Sequence, residues 1–520
     1  MQCGKSSLFA HIFAWYTVSM NMKKQSNFKY FVLFTAAALL LAACLFPAPK
    51  SLAEERLWDV EEDGGVPEAT PAPDYAPMPA ASAARGEHAE NLYEAELHVA
   101  RDAKSLSGKL RFTYTNRTAD VLYVIKLRLH ANDVAPGSLK VNSVSVNGER
   151  SYYTLDGEKE SMLTVPLPLE IKNGEEAEIF LTFDLTFPET GNRFGINTTG
   201  VMLGNFLPIA AVYEDGAWRN DRYIDEGDAF FSETADYRIV LTYPDDHTVA
   251  HTGSMLEERQ DNVYEKSRYI TASRSRDFAL ALIPDGETAS AEALNGRVGV
   301  RAVTASEKTA AFAAEAAAKA IDFFSTKIGL YPYTDFAVVP FDRTGGMEYP
   351  GLVMVSERYF RDSYREMGEL VIFHEAAHQW FYALVGSDQI NAPWLDESLV
   401  EFLGFRCYAE LYGEEAAEKL WQERFIDYPG TQRTARLDAD LYAFEHDGYF
   451  MTVYAHGAAL YRALYEELGE DTFYGALRIY FDANSFSVAD MDDLIAAFEE
   501  ASGRDLTAWF EERMAAEYRF

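Results

Sequence analysis

Residues 371–381 read Val371-Ile372-Phe373-His374-Glu375-Ala376-Ala377-His378-Gln379-Trp380-Phe381, a His-Glu-x-x-His motif set in an apolar run. The apolar run favours a helix, in which residues four apart lie one above the other on the same face. The imidazoles of His374 and His378 can therefore bind one zinc ion without bending the backbone. Glu375 lies one step round the helix, close enough to act on a water beside the metal but poorly placed to be a ligand.

A carboxylate further along the chain completes this set. We expect the first helix to end at Gly386 and a second to begin at Pro393-Trp394-Leu395-Asp396-Glu397, because the first turn of a helix tolerates proline. Two histidines and Glu397, with one position left for water, form a catalytic zinc site rather than a closed structural one. The alternative is a solvated helix with two unrelated histidines, since a chain with ten histidines and 82 acidic residues can contain the motif by chance.

Composition indicates a globular protein of more than one domain. A chain of 520 residues is too long for one hydrophobic core, and with 48% hydrophobic and 14% aromatic residues it can bury several. The formal net charge of −36 argues against nucleic acid or an anionic membrane surface as the partner. Such an acidic surface is most simply explained by solubility.

The N-terminus, residues 1–43, is predicted to be a lipoprotein signal peptide. Three lysines within residues 23–29 precede the apolar run from Tyr30 to Ala43, which is short for a membrane span. The run ends in Leu41-Ala42-Ala43-Cys44, which resembles the bacterial lipobox, where the cysteine becomes the first mature residue and carries the lipid. We therefore expect Cys44 to anchor the protein to the cell membrane, facing the extracytoplasmic side. The alternative is an ordinary signal peptide followed by an incidental cysteine.

Two predicted domains follow a tether. Residues 44–90 are rich in Pro, Ala and Glu, which is typical of an extended segment that cannot bury a core. Residues 91–303 contain short alternating runs separated by turn signals such as Asn147-Gly148, which predict an antiparallel β domain. From residue 304 the hydrophobic period becomes helical, first in Ala310 to Phe324, so residues 304–520 are predicted to form a mainly helical domain that contains the zinc motif.

Four separated motifs occur in order in the second half of the chain. They are Gly345-Gly346-Met347-Glu348, His374-Glu375-Ala376-Ala377-His378, Trp394-Leu395-Asp396-Glu397 and Val453-Tyr454-Ala455-His456-Gly457-Ala458. With them, residues from about 91 to 516 resemble the gluzincin aminopeptidases of the aminopeptidase N and leukotriene hydrolase family. The stretch Gly227-Asp228-Ala229-Phe230-Phe231-Ser232-Glu233 is similar to the shorter bacterial branch. The resemblance implies an α+β multidomain fold, with an antiparallel β saddle or sandwich followed by a mainly helical thermolysin-like catalytic domain.

The resemblance also implies the chemistry of individual residues. His374, His378 and Glu397 would hold one zinc ion. Glu375 would accept a proton from the water that the metal acidifies. Tyr454 would donate a hydrogen bond to the oxyanion that develops during peptide hydrolysis.

Substrate recognition is assigned in the same way. The implied substrate-binding residues are Gly345, Gly346, Met347 and Glu348. Glu348 would bind the free α-amine of the peptide and so fix cleavage one residue from its N-terminus. Three positions depart from the family pattern: Tyr349 replaces a common asparagine, Ser398 a usual glycine and His456 a frequent lysine. None of these removes a chemical group that hydrolysis needs, but Tyr349 bears on the preference for the substrate side chain.

The sequence thus predicts a lipid-anchored, extracytoplasmic zinc aminopeptidase that acts on peptides with a free N-terminal amine. One alternative is a zinc endopeptidase of the same fold, which would follow if Glu348 did not face the cleft. Another is a non-catalytic surface binding module, against which the retention of ligands, base, tyrosine and amine-binding glutamate argues. A second amine-binding acid cannot be placed from the sequence.

Overall fold

The structure is a computed structural model that describes residues 91–157, 159–427, 435–444 and 448–515. The described residues belong to one compact unit. The predicted signal peptide, Cys44 and the tether lie outside the described residues. Within the described ranges, no helix combines the length and apolarity needed to cross a bilayer.

The first half of the described chain is built of β-strands. In Leu92–Val99 and Ser105–Thr115 every second residue is buried, the alternation expected of strands with one face on a core. A short helix, α1 (His130–Val134), interrupts the strands. The strands are β1 (Leu92–Val99), β2 (Ser105–Thr115), β3 (Leu122–Arg128), β4 (Leu139–Val146), β5 (Glu149–Arg150), β6 (Thr154–Asp156), β7 (Met162–Ile171), β8 (Glu176–Thr186), β9 (Phe194–Asn197), β10 (Gly200–Leu203), β11 (Ile209–Ala210), β12 (Tyr213–Glu214), β13 (Ala217–Trp218), β14 (Ala235–Pro244), β15 (His247–His251), β16 (Ser254–Asn262), β17 (Glu265–Ser275) and β18 (Leu280–Pro284).

Among the described residues, these strands form one large sheet and several small ones. The large sheet has the order β16-β17-β14-β1-β2-β8-β4-β5, and two four-stranded sheets have the orders β15-β18-β10-β9 and β11-β3-β7-β6. The predicted sheet-rich N-terminal region is confirmed. Its pairing is not wholly antiparallel, because β1 runs parallel to β14, with Leu92 opposite Asp236. These two strands are far apart in the chain, so no hairpin dictates their direction.

The second half is mainly helical around a five-stranded sheet, as expected. Its strands and helices are β19 (Glu287–Ala293), β20 (Val298–Thr304), β21 (Asp335–Phe341), β22 (Gly346–Met347), β23 (Leu352–Ser356), α2 (Glu307–Lys327), α3 (Arg365–Ala377), α4 (Trp394–Tyr412), α5 (Glu414–Trp421), α6 (Gly457–Leu468), α7 (Glu470–Asn484), α8 (Met491–Ser502) and α9 (Thr507–Ala515). Two π-helical turns, Gln422–Ile426 and Phe450–His456, adjoin α5 and α6.

The boundary predicted between residues 303 and 304 falls inside this second half. The sheet has the order β19-β20-β21-β23-β22, so β20 pairs with β21 from beyond the boundary, and β19 joins the same sheet through β20. Val298, Val300 and Ala302 of β20 share a buried core with the apolar face of α2. The change from alternating to helical period at residue 304 therefore marks the end of a hairpin rather than the end of a domain.

Tyr349 connects the five-stranded sheet to the β domain. Its side chain is fully buried, and its hydroxyl donates a hydrogen bond to Asn205 Oδ1 at 2.6 Å. Asn205 in turn donates from Nδ2 to Asp277 Oδ2 at 2.7 Å. A Cβ atom at Gly204 would overlap the Tyr349 hydroxyl and ring. Tyr349 therefore fills the space that a side chain at position 204 would need.

We expect Gly204→Ala to lower the free energy of unfolding by about 1–3 kcal/mol, as overpacking of a core does. In a Tyr349→Leu background most of that cost should disappear, because the overlapping hydroxyl and ring are gone. Gly475→Ala in α7 is the matched control: no atom lies within 4 Å of the added Cβ, and alanine favours a helix. Thermal unfolding of the four variants tests this, and an equal cost in both backgrounds would contradict the steric explanation.

Candidate active site

The helix α3 carries the two motif histidines near its C-terminal end. It ends at Ala377, with His378 as the following residue, rather than continuing to Gly386 as the sequence suggested. A turn follows, and Tyr382 within it adopts a φ of 139°, which no residue of an α-helix has. The next helix, α4, begins at Trp394, close to the predicted start, and brings Glu397 to the histidines.

The three predicted ligand atoms form a nearly equilateral triangle. Nε2 of His374 lies 3.2 Å from Nε2 of His378, and Glu397 Oε2 lies 3.3 Å and 3.5 Å from these two nitrogens. Tetrahedral zinc with bonds of about 2.0–2.1 Å sets neighbouring ligand atoms about 3.3 Å apart. Glu397 Oε2 is buried and makes no hydrogen bond of acceptable geometry with the described residues. The donor set and its spacing therefore fit one zinc ion.

Each histidine is oriented by a contact on its other ring nitrogen. Nδ1 of His378 lies 3.2 Å from the carbonyl oxygen of Phe381, and Nδ1 of His374 lies 2.8 Å from Glu401 Oε2. Arg424 holds Glu401 through its Nε and, at 3.1 Å, through Nη2. Although burial opposes it, Arg424 and His374 lower the pKa of Glu401 to about 2. These contacts leave both Nε2 atoms directed at the centre of the triangle. A contact on the second ring nitrogen is the usual way in which a histidine ligand is held in orientation.

Glu375 lies against the backbone of the glycine motif. Its carboxylate is buried, and a Cβ atom at Gly346 would overlap it. Gly345 has a φ of 91°, a conformation that residues with a side chain rarely adopt. Gly346 therefore leaves room for the Glu375 carboxylate, and Gly345 allows the unusual backbone conformation. Both line the cleft beside the triangle.

The structure does not place Met347 at the cleft. Along β22 side chains alternate, so Met347 points away from the side on which Gly346 faces Glu375. Its side chain is buried in a small core with Val339 and Met354. The expected contact between Met347 and the substrate is therefore not supported. Tyr349 is equally buried beneath the motif, so its effect on side-chain preference would have to be indirect.

A second buried acid lies beside Glu348, and sequence reasoning did not place it. It is Asp228, in the loop before β14; ligand-type oxygens of Asp228, Glu348 and Glu397 all lie within 4.8 Å of one another. Arg193, also buried, forms an ion pair with Asp228. Gln389 Nε2 lies 3.3 Å from Glu348 Oε1 and 2.9 Å from an oxygen of Asp396, the residue before Glu397.

The pocket around the triangle holds more buried negative charge than its cations balance. Burial raises the pKa of the Glu375 carboxyl to about 7, and burial together with the Asp228 carboxylate raises the pKa of Glu348 well above its usual value. Burial also raises the pKa of Asp228. Cations that enter this pocket are therefore attracted by carboxylates that have lost most of their contact with water.

Tyr454 lies on the second π-helical turn, a local geometry frequent at functional sites. Its ring stacks on the imidazole of His374 with centroids 5.8 Å apart and an interplanar angle of 26°. Ser398 Oγ donates a hydrogen bond to the carbonyl oxygen of Val453 at 2.6 Å, so α4 holds the turn that carries Tyr454. A Cβ atom at Gly457 would overlap Ser398. His456 is buried and is not among the described residues that line the cleft.

These groups line a cleft of about 1060 Å³ between the two halves of the protein. The β domain contributes Arg193 and the loop with Asp228, and the helical half contributes His374, Glu397, Glu375 and Tyr454. The volume suits a peptide of a few residues. Two histidines, one carboxylate and an adjacent carboxylate in an open cleft define a catalytic metal centre of the hydrolytic type.

Residues 312–512 match the peptidase family M1 domain, the family that includes aminopeptidase N. Aminopeptidase N of Streptomyces lividans is 29% identical over 301 residues, which are 53% of this chain and 34% of that protein. The mitochondrial aminopeptidase 2 of Saccharomyces cerevisiae is 27% identical over 356 residues, 61% of this chain and 37% of that protein. The chain thus spans about a third of the length of these curated relatives.

The fold is that of two-domain M1 enzymes. The M1 zinc metallopeptidase of Deinococcus radiodurans superposes with a TM-score of 0.61 at 20% identity, covering 82% of this chain and 94% of that one. A variant of the same enzyme bound to a Tyr-Ser-Ala substrate gives the same TM-score at the same identity. The predicted architecture, a sheet-rich N-terminal region followed by a helical catalytic region, is confirmed.

We expect Glu401→Gln to weaken zinc affinity by about tenfold to a hundredfold, because His374 loses the carboxylate that orients it. Glu397→Gln should weaken it further, since it removes the charge of a ligand. Competition with a chromophoric chelator measures both affinities, and circular dichroism checks the fold. Glu414→Gln, which removes an exposed carboxylate paired with Arg406, is the control. An unchanged affinity in Glu401→Gln would contradict the orienting role.

Proposed function

We propose that the protein is a zinc-dependent aminopeptidase that hydrolyses the first peptide bond of peptides with a free N-terminal amine. The observation that carries this proposal is the buried acid pair, Asp228 and Glu348, placed directly beside the Glu397 corner of the ligand triangle. The aminopeptidase names of the relatives and the peptide bound to the Deinococcus radiodurans variant support the same substrate class.

Peptide hydrolysis at this site needs the metal and two side chains. One zinc ion held by His374, His378 and Glu397 supplies the Lewis acidity that polarises a carbonyl and activates water at neutral pH. Glu375 accepts the proton of the attacking water and passes it to the departing amine. Tyr454, beside His374, donates a hydrogen bond to the oxygen on which negative charge develops.

The acid pair accounts for cleavage one residue from the N-terminus. A substrate ammonium between Asp228 and Glu348 gains charge-assisted hydrogen bonds in a site from which water is largely excluded. It also offsets the repulsion between those carboxylates. An acetylated N-terminus brings no charge, and its carbonyl oxygen would face two buried acids. Free peptides are therefore strongly favoured over blocked ones.

We predict that wild type hydrolyses a free peptide and leaves its N-acetylated form intact. Glu348→Ala should lower kcat/KM on the free peptide roughly a hundredfold or more, the scale of a lost charged contact. Glu375→Gln should lower kcat about a thousandfold, because only the base is removed. Zinc content, measured on the same samples, should equal that of wild type in both variants. Glu357→Gln, an accessible acid outside the cleft, is the control.

The contrary outcomes separate the alternatives. Internal cleavage of acetylated peptides at comparable rates would identify an endopeptidase. A protein that holds zinc fully yet hydrolyses neither peptide would be a binding module. Loss of zinc in the Glu348 variant would mean that this residue supports the metal rather than the amine.

The lipid anchor is a separate part of the proposal and rests on Leu41-Ala42-Ala43-Cys44. An acylated Cys44 followed by the tether of residues 44–90 would hold the enzyme at the extracytoplasmic face of the membrane. Cys44→Ser should move the protein from the membrane fraction to the soluble fraction, because the acyl chains supply the anchor. Fractionation of expressing cells measures this, and unchanged membrane retention would contradict the assignment.

A further inference from the structure

Two arginines line the cleft at the end away from the acid pair. Arg358 follows β23, and Arg365 is the first residue of α3; both are exposed, and both line the same cavity as His374 and Glu397. The protein as a whole carries 82 acidic and 46 basic residues. Exposed cations inside the cleft of so acidic a protein call for a ligand of opposite charge.

Neither arginine is neutralised by a carboxylate within salt-bridge distance among the described residues. Arg358 donates from Nη2 to the Tyr359 hydroxyl at 2.7 Å, and the Arg365 guanidinium lies over the Phe312 ring at 4.3 Å from its centroid. The three acids that line this end share two lysines, in the pairs Lys308–Asp362, Lys419–Glu366 and Lys419–Glu423. Lys308 and, more weakly, Arg365 lower the pKa of Asp362. The two arginines and two lysines together outnumber the three acids by one, so net positive charge remains here.

The position of the arginines relative to the metal triangle follows from α3. Ligand-type atoms of Glu348, Glu375 and His378 lie within 4.8 Å of one another, and Glu375 and His378 are at the C-terminal end of this helix. Arg365 begins the helix nine residues before His374, which corresponds to about 13 Å along the axis. The triangle and the acid pair therefore lie together toward the C-terminal end of α3, and Arg365 lies in the same cleft at the other end of this helix.

We propose that Arg358 and Arg365 bind a carboxylate on the C-terminal side of the bond that is cut, so that the preferred substrates are short peptides. This rests on the proposed aminopeptidase function and adds a second recognition point to it. Extended peptide spans about 3.3–3.6 Å per residue. Two or three residues beyond the cut bond cover about 7–10 Å of the roughly 13 Å between His374 and Arg365. The arginine side chains span the rest of that distance. Tripeptides and tetrapeptides thus place their terminal carboxylate at this end of the cleft.

A terminal carboxylate and an acidic side chain offer the same chemistry, so the test separates them. Three substrates share their first two residues: a tripeptide acid, the same tripeptide as its C-terminal amide, and an amide with glutamate at the third position. Wild type should hydrolyse the acid with a kcat/KM about fivefold to tenfold above the simple amide, a modest ratio because exposed arginines are screened by water. Added salt should reduce this ratio. A glutamate amide as good as the acid assigns the site to carboxylates generally, and one as poor as the amide assigns it to the chain terminus.

The variants localise the effect. Arg358→Gln with Arg365→Gln should bring acid and amide to the same kcat/KM while leaving hydrolysis of the amide unchanged. Arg361→Gln is the matched control, because Arg361 lies on the same segment, pairs with Glu357 at 2.8 Å and does not line the cleft. It should keep the wild-type ratio.

The failures of the two proposals are distinguishable. Equal rates on acid and amide in wild type would overturn the carboxylate site and leave the aminopeptidase function intact, since both peptides would be cut. A preference for the acid that survives in the double variant would also overturn the assignment to these arginines. No hydrolysis of any of the three peptides by zinc-loaded protein would overturn the aminopeptidase function, and the carboxylate site with it.

Discussion

Negative charge buried without enough positive charge to match it is the constraint on which this active site depends. Taking a carboxylate out of water costs roughly several kcal/mol unless a cation or hydrogen bonds compensate it. Asp228, Glu348, Glu375 and Glu397 are all buried in one pocket, and Arg193 is held against Asp228 alone. A divalent ion at the ligand triangle and an ammonium at the acid pair supply the missing charge. Without these cations the carboxyls can reduce the cost by binding protons, as the raised pKa values of Asp228, Glu348 and Glu375 indicate. The pocket therefore favours cations, and the proposed chemistry uses both of them.

The residues that could be predicted from the sequence are those whose relation is local. His374 and His378 lie one helical turn apart, so their pattern alone indicated a metal site, and the structure brings Glu397 to them from the next helix. Glu401 could also have been found, because it lies one turn after Glu397 on α4. The alternation of β22 was overlooked for Met347, since a strand of two residues leaves no visible pattern. Helical periodicity likewise could not reveal that β20 pairs with β21 and brings β19 into the same sheet.

Contacts between distant parts of the chain were beyond the sequence. Asp228 belongs to the stretch from Gly227 to Glu233, which is similar to the shorter bacterial branch, but only the packing of the β domain against the helical half brings it to Glu348. The same holds for Arg424, which reaches Glu401 from a π-helical turn, and for the hydrogen bond from Tyr349 to Asn205. Each depends on tertiary structure that no periodicity encodes. The β domain consequently contributes one acid of the proposed amine-binding pair.

The close packing of Ser398 against Gly457 has an evolutionary consequence. The two positions share a volume that holds one small side chain, because a Cβ atom at Gly457 would overlap Ser398. Ser398 also holds the turn that carries Tyr454. A related protein can therefore have a small side chain at position 398 or at position 457, or glycine at both. A larger residue at one position becomes possible only after the other has become smaller. Substitutions at 398 and 457 should be inherited as a correlated pair, with the orientation of the tyrosine as the trait under selection.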